Sequence, residues 1–354
     1  MFNSLQPWSL IVIYLVLAAA ICFLSKKLAD YVDALDKKTK VSGAFIGAVL
    51  LAAVTSLPEF FTSISATILL PDSANLVVGN ILGSNLFNLA IIGFAMIFYF
   101  KSFAKSKFEF KSHFIVLVGV LGIYGIISYG IMGSSSIQPI FGTSGYLKNV
   151  NWIAILILLI YGITIYFQPK EENDEDNEEK IDPYKNLSLK QVVIRFIICA
   201  LLLVGTSILI TYNTDAIANA FNLDATLAGA IFLAVATSLP ELVSTITLCK
   251  KGNFNAALGD IIGSCLFNFT IIGLAEFMSY KSSLLPGYIA GDPNIINAIK
   301  MIIITLVVIV FLSISLIVNY YAKRKNKEEN KINYVIYIIS GIALLSGYII
   351  FLII

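Results

Sequence analysis

The chain has 354 residues, of which 58% are hydrophobic and 13% are charged, and its formal net charge is +2 at pH 7. Soluble domains average about 25% charged residues, so this composition excludes an ordinary water-soluble domain. Apolar runs of about 20 residues recur along the chain, each long enough to cross a bilayer core roughly 30 Å thick. The composition therefore predicts an all-α membrane protein with many spans.

Ten membrane-spanning helices are predicted, in chain order 7–25, 42–70, 75–100, 112–133, 151–168, 189–212, 225–249, 254–280, 298–321 and 333–354. No basic residue precedes the first run, which begins at Pro7. We therefore expect a retained span rather than a cleaved signal peptide. The second, third, seventh and eighth spans are the most interrupted by polar residues.

The distribution of Lys and Arg predicts an orientation, because cytoplasmic connections are enriched in both residues. Connections after odd-numbered spans, together with the adjoining start of the sixth span, carry 21 of the 24 Lys and Arg residues. Both termini should then lie outside, and the acidic connection 169–188 should be a flexible cytoplasmic linker. The segment 26–40 mixes lysines with aspartates. We expect it to form an amphipathic helix of its own at the membrane surface.

Two sequence motifs occur twice in the chain. The pentapeptide TSLPE stands at 55–59 and 237–241, and GNILGSNLFN at 79–88 is matched by GDIIGSCLFN at 259–268. The offset between copies is 182 residues for the first motif and 180 for the second, counted from Thr55 and from Ser84. Matched blocks in the same order at nearly one offset indicate an internal duplication.

The duplication predicts two structural repeats. The first occupies 1–168 with its motifs in 51–90, and the second occupies 189–354 with its motifs in 233–270. Each repeat holds five predicted spans, so the second enters the membrane from the opposite side. Repeats of inverted topology are common in transporters and place the binding site near the midplane, where the repeats meet.

Each TSLPE motif places a glutamate directly after a proline inside a predicted span. Pro58 and Pro240 cannot donate a backbone hydrogen bond, so each should break or kink its helix and free a carbonyl one turn earlier. A carboxylate at the bilayer centre costs at least about 2.5 kcal/mol. No Lys or Arg lies at a comparable depth to pair with Glu59 or Glu241. Both glutamates should therefore be protonated or bind a cation.

Other oxygen atoms accompany the two acids in the duplicated motifs. The neutral side-chain oxygens belong to Thr55, Ser56, Thr237, Ser238, Ser84, Asn88, Ser264 and Asn268. Carboxylate, hydroxyl and carbonyl oxygens suit Ca²⁺, which takes about six to eight oxygen ligands, and Na⁺ can share them. The motif glycines Gly79, Gly83, Gly259 and Gly263 are expected to let helices approach closely.

Two acids break the symmetry between the copies. Asp260 occupies the position of Asn80, and either lines the ion path or lies near a hydrated helix end. Glu276 occupies the position of Met96, near the predicted outer end of its span. We expect the side chain of Glu276 to lie at the surface.

The duplicated motifs resemble the repeats of the calcium/cation antiporter superfamily, and within it the prokaryotic Na⁺/Ca²⁺ exchangers. The resemblance implies two inverted five-helix repeats, with four ion sites among the second, third, seventh and eighth helices. It implies that Glu59 and Glu241 bind Ca²⁺ together with the carbonyls of Thr55 and Thr237. The implied Na⁺ ligands are Ser56, Ser84, Ser238, Ser264 and the carbonyls of Ala52 and Ala234, with Asn88 and Asn268 flanking the centre.

The sequence departs from the pattern of this superfamily at some positions. Val54 and Ala236 stand where its members usually have glycine. Asparagine at both 88 and 268 disfavours coupling to K⁺, and TSLPE in place of a more acidic motif argues against coupling to H⁺. The resemblance thus implies Na⁺/Ca²⁺ antiport by alternating access, normally with extrusion of Ca²⁺.

Several alternatives stay open from the sequence. They are an H⁺-coupled antiporter, an antiporter for another divalent cation such as Mn²⁺ or Mg²⁺, and a passive cation channel. An enzyme is not expected, since neither a nucleophile–base pair nor an HExxH zinc motif is found. We expect Ca²⁺ and Na⁺ as substrates, no cofactor, no nucleic-acid partner and a plasma-membrane location. The sequence does not fix the oligomeric state, and a monomer is compatible with it.

Overall fold

The computed structural model describes residues 6–69, 74–132, 140, 150–169, 184–221, 234–279, 284–285, 293–324 and 331–353. Within these ranges the regular structure is helical, so the predicted all-α class is confirmed. The helices are α1 (Pro7–Lys38), α2 (Gly43–Thr55), α3 (Leu57–Leu69), α4 (Ala74–Phe98), α5 (Phe100–Lys105), α6 (Phe110–Met132), α7 (Trp152–Phe167), α8 (Leu189–Ala220), α9 (Ala234–Lys250), α10 (Phe254–Met278), α11 (Pro293–Arg324) and α12 (Lys331–Ile353).

Seven helices of the described residues are long and apolar enough to cross a membrane. They are α1, α4, α6, α8, α10, α11 and α12. Helices α2 and α3 meet at a 45° bend and would together make an eighth span. Aliphatic side chains on these helices, such as Leu15 and Leu201, are more than half exposed, as expected for surface in contact with lipid tails. The chain is a multi-pass membrane protein.

Helix α1 is longer than the sequence predicts. It begins with Pro7 at its first position, where the missing N–H costs nothing, and it ends with Lys37 and Lys38 in its last turn. The separate surface helix expected over 26–40 is therefore wrong, because α1 continues through this segment without a break. Asp30, Asp33 and Asp36, which suggested a solvated face, are buried.

These three acids are buried because the turn between α9 and α10 supplies partners for them. Lys251 Nζ lies 2.8 Å from Asp30 Oδ1 and 3.3 Å from Asp33 Oδ2. Asn253 Nδ2 donates to Asp36 Oδ2 at 2.9 Å and to Asp33 Oδ1 at 3.3 Å. We call these five residues the acidic clasp. Its turn contains Gly252 at φ 77°, a backbone conformation that favours glycine.

Lys251 is the cationic residue of the acidic clasp. We expect Lys251→Met to lower the free energy of unfolding by about 1–3 kcal/mol, since Asp30 loses the Lys251 ammonium, whereas Asp33 keeps the ammonium of Lys37 at 2.8 Å. The loss stays below the roughly 3–5 kcal/mol of a fully buried pair, because the Lys251 side chain is 23% exposed. Thermal unfolding of the purified protein in detergent measures the effect. Lys250→Met, at the exposed neighbouring position, is the matched control, and an equal loss in the control would refute the assignment.

The effect of Lys251 on stability should depend on pH in one direction. Burial lowers the pKa of Lys251, but the hydrogen bond to Asp30 and the charges of Asp33 and Asp30 outweigh it, so the pKa is raised above its ordinary value. A group whose pKa is raised by folding contributes fully below the unfolded pKa of about 10.4. The difference between wild type and Lys251→Met is thus complete at pH 7 and declines only in strongly alkaline solution.

The helices form two compact units, namely Met1–Thr62 with Lys170–Asp260, and Ser63–Pro169 with Ile261–Ile354. In the first unit, α1 packs along α8 and α9, and α2 crosses the first turns of α10. In the second unit, α12 packs along α4 and α11, and α6 packs against α7 and α11. Each unit contains residues of both sequence halves, 1–168 and 189–354, so the units do not coincide with the predicted repeats.

Candidate cation-binding site

The first TSLPE motif lies at the junction of α2 and α3. The preceding segment Ile46–Leu51 is a π-helical turn, and the chain leaves helical geometry at Ser56, with φ −87° and ψ 5°. Pro58, in the first turn of α3, needs no helical N–H partner there. The sequence correctly predicts a break at this motif. Thr55, Ser56 and Glu59 are all buried around it.

The second TSLPE motif lies inside a continuous helix. Helix α9 runs from Ala234 to Lys250 with Pro240 in its interior, so of the predicted break or kink the break is not seen in this copy. Thr237, Ser238 and Glu241 are buried. Nothing is described for the side chain of Ala234, which opens the helix.

The structure brings the two TSLPE motifs together within the first unit. Ser56 Oγ donates to Glu241 Oε1 at 3.2 Å, and Ser238 Oγ donates to Glu59 Oε1 at 3.5 Å. We call these contacts the crossed serine–glutamate pairs, because the serine of each copy binds the glutamate of the other. Both glutamates are 1% exposed, so neither faces lipid or bulk water. The duplicated acids therefore share one buried polar environment.

Asp260 is a third acid in this environment. Thr55 Oγ1 lies 3.3 Å from Asp260 Oδ1, and Ser244 Oγ contacts Asp260 Oδ2. Ser244 Oγ also lies 3.1 Å from the carbonyl oxygen of Glu241. Asp260 is fully buried, so it does not lie at a hydrated helix end. Ser244 thus connects this carboxylate to the turn that holds Glu241, and Thr55 connects it to the first TSLPE motif.

The three acids lie on helices that offer little positive charge. The sequence contains no Lys, Arg or His over 42–100, 196–249 or 252–280. An ionised carboxylate in a dry interior needs a counter-charge, or it takes up a proton instead. Among the described residues, no three or more Asp, Glu, His or Cys side chains are grouped so that they alone could hold a metal ion, so a cation here would also need hydroxyl and carbonyl oxygens.

Several buried oxygen atoms have no hydrogen-bond donor among the residues that the structure describes. They include Glu241 Oε2 in the first unit, and Asn88 Oδ1 and Asn268 Oδ1 in the second. A buried acceptor left unsatisfied costs about 1–3 kcal/mol. A bound cation removes that cost, because oxygen atoms are the ligands that Na⁺ and Ca²⁺ require. Within its own unit, each of these orphaned oxygens is a candidate cation ligand.

The other predicted ligands fall into two groups. Ser84 and Asn88 on α4, and Ser264 and Asn268 on α10, belong to the second unit and are buried. Ala52 belongs to the first unit, where its carbonyl oxygen accepts the N–H of Ser56 at 3.1 Å. The same oxygen also lies 3.3 Å from the Thr55 hydroxyl, which can donate to its second lone pair.

Sequence reasoning missed two residues of these polar networks. Ser244 follows Glu241 by three residues, and this helical spacing is the signal that could have identified it. Asn85 binds Asn268 in the second unit. It stands at the one position at which GSNLFN and GSCLFN differ. Neither residue was among the predicted ligands, because a hydrogen-bond partner in another helix is not visible in a local pattern.

The surface position expected for Glu276 is wrong. Its side chain is 2% exposed within the second unit. Asn151 Nδ2 donates to Glu276 Oε1 at 2.6 Å, and the N–H of Leu284 donates to Glu276 Oε2 at 2.7 Å. Asn151 also caps α7 by accepting from the N–H groups of Ile153 and Ala154. Glu276 is buried because these donors replace the water it would otherwise require.

Comparison with known proteins gives consistent matches along most of the chain. A family model described as "Sodium/calcium exchanger protein" matches residues 9–169 and 191–354. The chain is 26% identical over 249 residues to the "Putative antiporter CaxA" of Alkalimonas amylolytica, covering 70% of this chain and 74% of that protein. It is 24% identical over 333 residues to the "Sodium/calcium exchanger MaX1" of Methanosarcina acetivorans, covering 85% and 91%.

A solved structure gives a match of the same extent. The sodium-calcium exchanger NCX_Mj, soaked with 2.5 mM Na⁺ and 10 mM Sr²⁺, superposes with a TM-score of 0.65 at 19% sequence identity. The superposition covers 98% of each chain. At this identity the match identifies the fold of the chain.

Proposed function

The chain belongs to the sodium/calcium exchanger protein family, and we propose that it is a secondary active antiporter exchanging Na⁺ for Ca²⁺ across a membrane. The family and the structural relatives are transporters rather than enzymes. Members of this family move Na⁺ and Ca²⁺ without a cofactor, so both ions are substrates.

The crossed serine–glutamate pairs are the observation that carries the proposal. Glu59 and Glu241 belong to different copies of one motif, yet each accepts a hydrogen bond from the serine of the other. Two carboxylates balance the charge of one Ca²⁺ or of two Na⁺. Because the same carboxylate oxygens cannot bind Ca²⁺ and Na⁺ at the same time, binding of one kind of ion displaces the other. This competition couples the two ion fluxes.

The individual ligands of the proposal are those that the resemblance to the family implies. Glu59 and Glu241 bind Ca²⁺, aided by the carbonyl oxygens of Thr55 and Thr237. Na⁺ uses the hydroxyls of Ser56, Ser84, Ser238 and Ser264 and the carbonyls of Ala52 and Ala234, with Asn88 and Asn268 as flanking oxygens. Asp260 adds negative charge and holds Thr55 and Ser244. A third Na⁺ can bind to neutral oxygens alone, since Na⁺ accepts the same hard ligands as Ca²⁺.

We propose a ten-helix architecture of two inverted repeats, 1–168 and 189–354. The seven apolar helices, the bent pair α2–α3, the 16-residue α7 and the 17-residue α9 supply ten crossings. The seventh predicted span is 225–249, and its first part, residues 225–233, lies outside the described residues. The crossed pairs support a twofold relation, because they join matched positions of the two copies.

Alternating access supplies the transport cycle. An empty site would carry at least two uncompensated negative charges through a low-dielectric barrier, which is costly and suppresses leak. Helices α1 and α8, which pack along each other in the first unit, are the elements proposed to slide. The proposed orientation has both termini outside in a plasma membrane and the linker 169–188 in the cytoplasm, where Ca²⁺ is taken up for extrusion. Residues 170–183 of that linker lie outside the described residues.

Flux in proteoliposomes tests the proposal. Vesicles loaded with Na⁺ and diluted into Na⁺-free buffer containing ⁴⁵Ca²⁺ are expected to accumulate Ca²⁺. Dissipating the Na⁺ gradient with an ionophore should abolish that accumulation. Protein-free vesicles under the same gradient are the control.

The same assay separates the alternative functions. Ca²⁺ uptake driven by a pH gradient in the absence of Na⁺ would identify H⁺, rather than Na⁺, as the coupling ion. If Mn²⁺ or Mg²⁺ inhibits ⁴⁵Ca²⁺ uptake more strongly than unlabelled Ca²⁺ does, that ion is the preferred divalent substrate. Flux that ignores every counter-ion gradient, together with single-channel currents, would refute antiport and indicate a passive channel.

A further inference from the structure

Two amide side chains of the second unit form a short relay between α4 and α10. Asn85 Nδ2 donates to the backbone oxygen of Cys265 at 3.1 Å. Asn268 Nδ2 donates to Asn85 Oδ1 at 2.9 Å. The three residues are buried. We call this arrangement the amide relay.

The direction of the amide relay is fixed by its first member. A backbone carbonyl can only accept a hydrogen bond, so Asn85 must turn its Nδ2 towards the oxygen of Cys265. Asn85 Oδ1 then faces Asn268, and an amide oxygen can also only accept. Asn268 must therefore present its Nδ2 to Asn85. Its own Oδ1 is left at the far end, where no described residue donates to it.

This orientation decides how Asn268 appears to a cation. With Oδ1 free, the amide offers a dipole with its negative end outward, which suits a Na⁺ or Ca²⁺ ion. A flipped amide would offer an N–H₂ group, which repels a cation and cannot ligate one. An unrestrained amide would populate both of these states, so an ion that binds Asn268 would have to order it at a cost in conformational entropy. Holding Asn268 in one state removes that entropy cost before the ion arrives.

We propose that Asn85 is a positioning residue, which acts through Asn268 by fixing its Oδ1 as a ligand for the transported cation. The inference rests on the proposed function, since it takes Asn268 to flank the ion centre. It adds a residue that touches no ion but sets the polarity of one that does.

The matched position in the second motif shows why an amide is needed at residue 85. Cys265 occupies the equivalent place on α10, and its Sγ lies 3.7 Å from the backbone oxygen of Asn85. Each residue of the pair thus contacts the backbone carbonyl of the other. A thiol is only a weak donor and acceptor, whereas an amide has a strong acceptor left after it donates. The amide relay therefore orients Asn268 through a strong acceptor, which a thiol at residue 85 would not supply.

A double-mutant cycle tests the inference. The chain itself places cysteine at the matched position 265, so Asn85→Cys is a conservative change in volume. We measure the Ca²⁺ concentration for half-maximal Na⁺-driven uptake in wild type, Asn85→Cys, Asn268→Ala and the double variant. Loss of one oriented neutral ligand is expected to raise that concentration about tenfold in each single variant. The double variant should be no weaker than Asn268→Ala alone.

The readouts separate positioning from a structural role and from failure of the site. If the two substitutions multiply in the double variant, Asn85 acts independently of Asn268 and the inference is overturned. If Asn268→Ala leaves ion affinity unchanged, Asn268 is not a ligand, and the proposed ion centre fails together with the inference. Melting temperature is recorded for each variant. Asn85→Ala, which also lacks an acceptor, gives the same cycle if the cysteine variant does not fold.

Discussion

Replacing Glu241 with glutamine is expected to reduce Na⁺-driven Ca²⁺ uptake at least about 100-fold, which corresponds to roughly 2.7 kcal/mol of lost ion binding. Glutamine has nearly the same shape, and its amide oxygen can still accept the hydrogen bond that Ser56 donates at 3.2 Å. The substitution removes the charge and leaves the packing in place. The loss therefore measures the carboxylate as a ligand, and Glu59→Gln should cause a loss of the same order.

The uptake assay needs a control that is also a buried glutamate of a predicted span. Glu276 fits, since it is 2% exposed and is held by neutral donors, Asn151 and the N–H of Leu284. Glu276→Gln should retain most of the transport per folded molecule, although it exchanges an acceptor for a donor in that network. Uptake that survives in both Glu59→Gln and Glu241→Gln would contradict the proposed site. Equal loss in Glu276→Gln would show that the assay reports folding.

Replacing Gly47 or Gly259 with alanine is expected to lower the free energy of unfolding by about 1–3 kcal/mol, the usual cost of overpacking a well-packed interior. A Cβ at Gly47 would lie 2.3 Å from the backbone oxygen of Ala256, and one at Gly259 would lie 2.6 Å from that of Ala44. Both contacts are with backbone atoms, which cannot rotate away. The crossing of α2 and α10 would have to widen in either variant.

The duplication provides a control for these glycine substitutions. Gly79 occupies the position in the first motif that Gly259 occupies in the second, yet no described atom lies within 4 Å of a Cβ built there. Gly79→Ala should be neutral or slightly stabilising, because alanine is a better helix former than glycine. Thermal unfolding in detergent gives the ranking. Similar destabilisation at Gly79 and Gly259 would show that the close crossing is not what makes glycine necessary.

The contrast between these glycines shows how far a motif predicts packing. All four motif glycines were expected to allow close helix approach, and this is confirmed for Gly259 but wrong for Gly79 and Gly83 in the described structure. The matched sequences are almost identical. The difference arises from which helix lies opposite, and that information is not contained in either motif.

The polar contacts illustrate the same division between local and distant information. The duplication indicated that Glu59 and Glu241 share a site, and the structure joins each to the serine of the other copy. The sequence did not indicate the burial of Glu276 or of the aspartates near the end of α1. Charge alone favours exposure, and only partners from distant turns such as that of Lys251 reverse it.

Backbone geometry at the two TSLPE motifs also differs despite an identical pentapeptide. The first copy breaks at Ser56 after a π-helical turn, whereas α9 continues through Pro240. Proline makes a break possible by removing a donor, and the surrounding structure decides whether it occurs. The sequence can identify where a helix lacks a hydrogen-bond donor, but not whether the helix breaks at that position.

The crossed serine–glutamate pairs make the two copies of the duplication mutually dependent. A substitution at Ser56 removes a hydroxyl that donates to Glu241 of the other motif, and one at Ser238 removes a hydroxyl that donates to Glu59. Each glutamate therefore depends on a serine from the other half of the chain for one of its hydrogen bonds. Substitutions in one motif are therefore expected to change the effect of substitutions in the other, although their first residues, Thr55 and Thr237, are 182 positions apart.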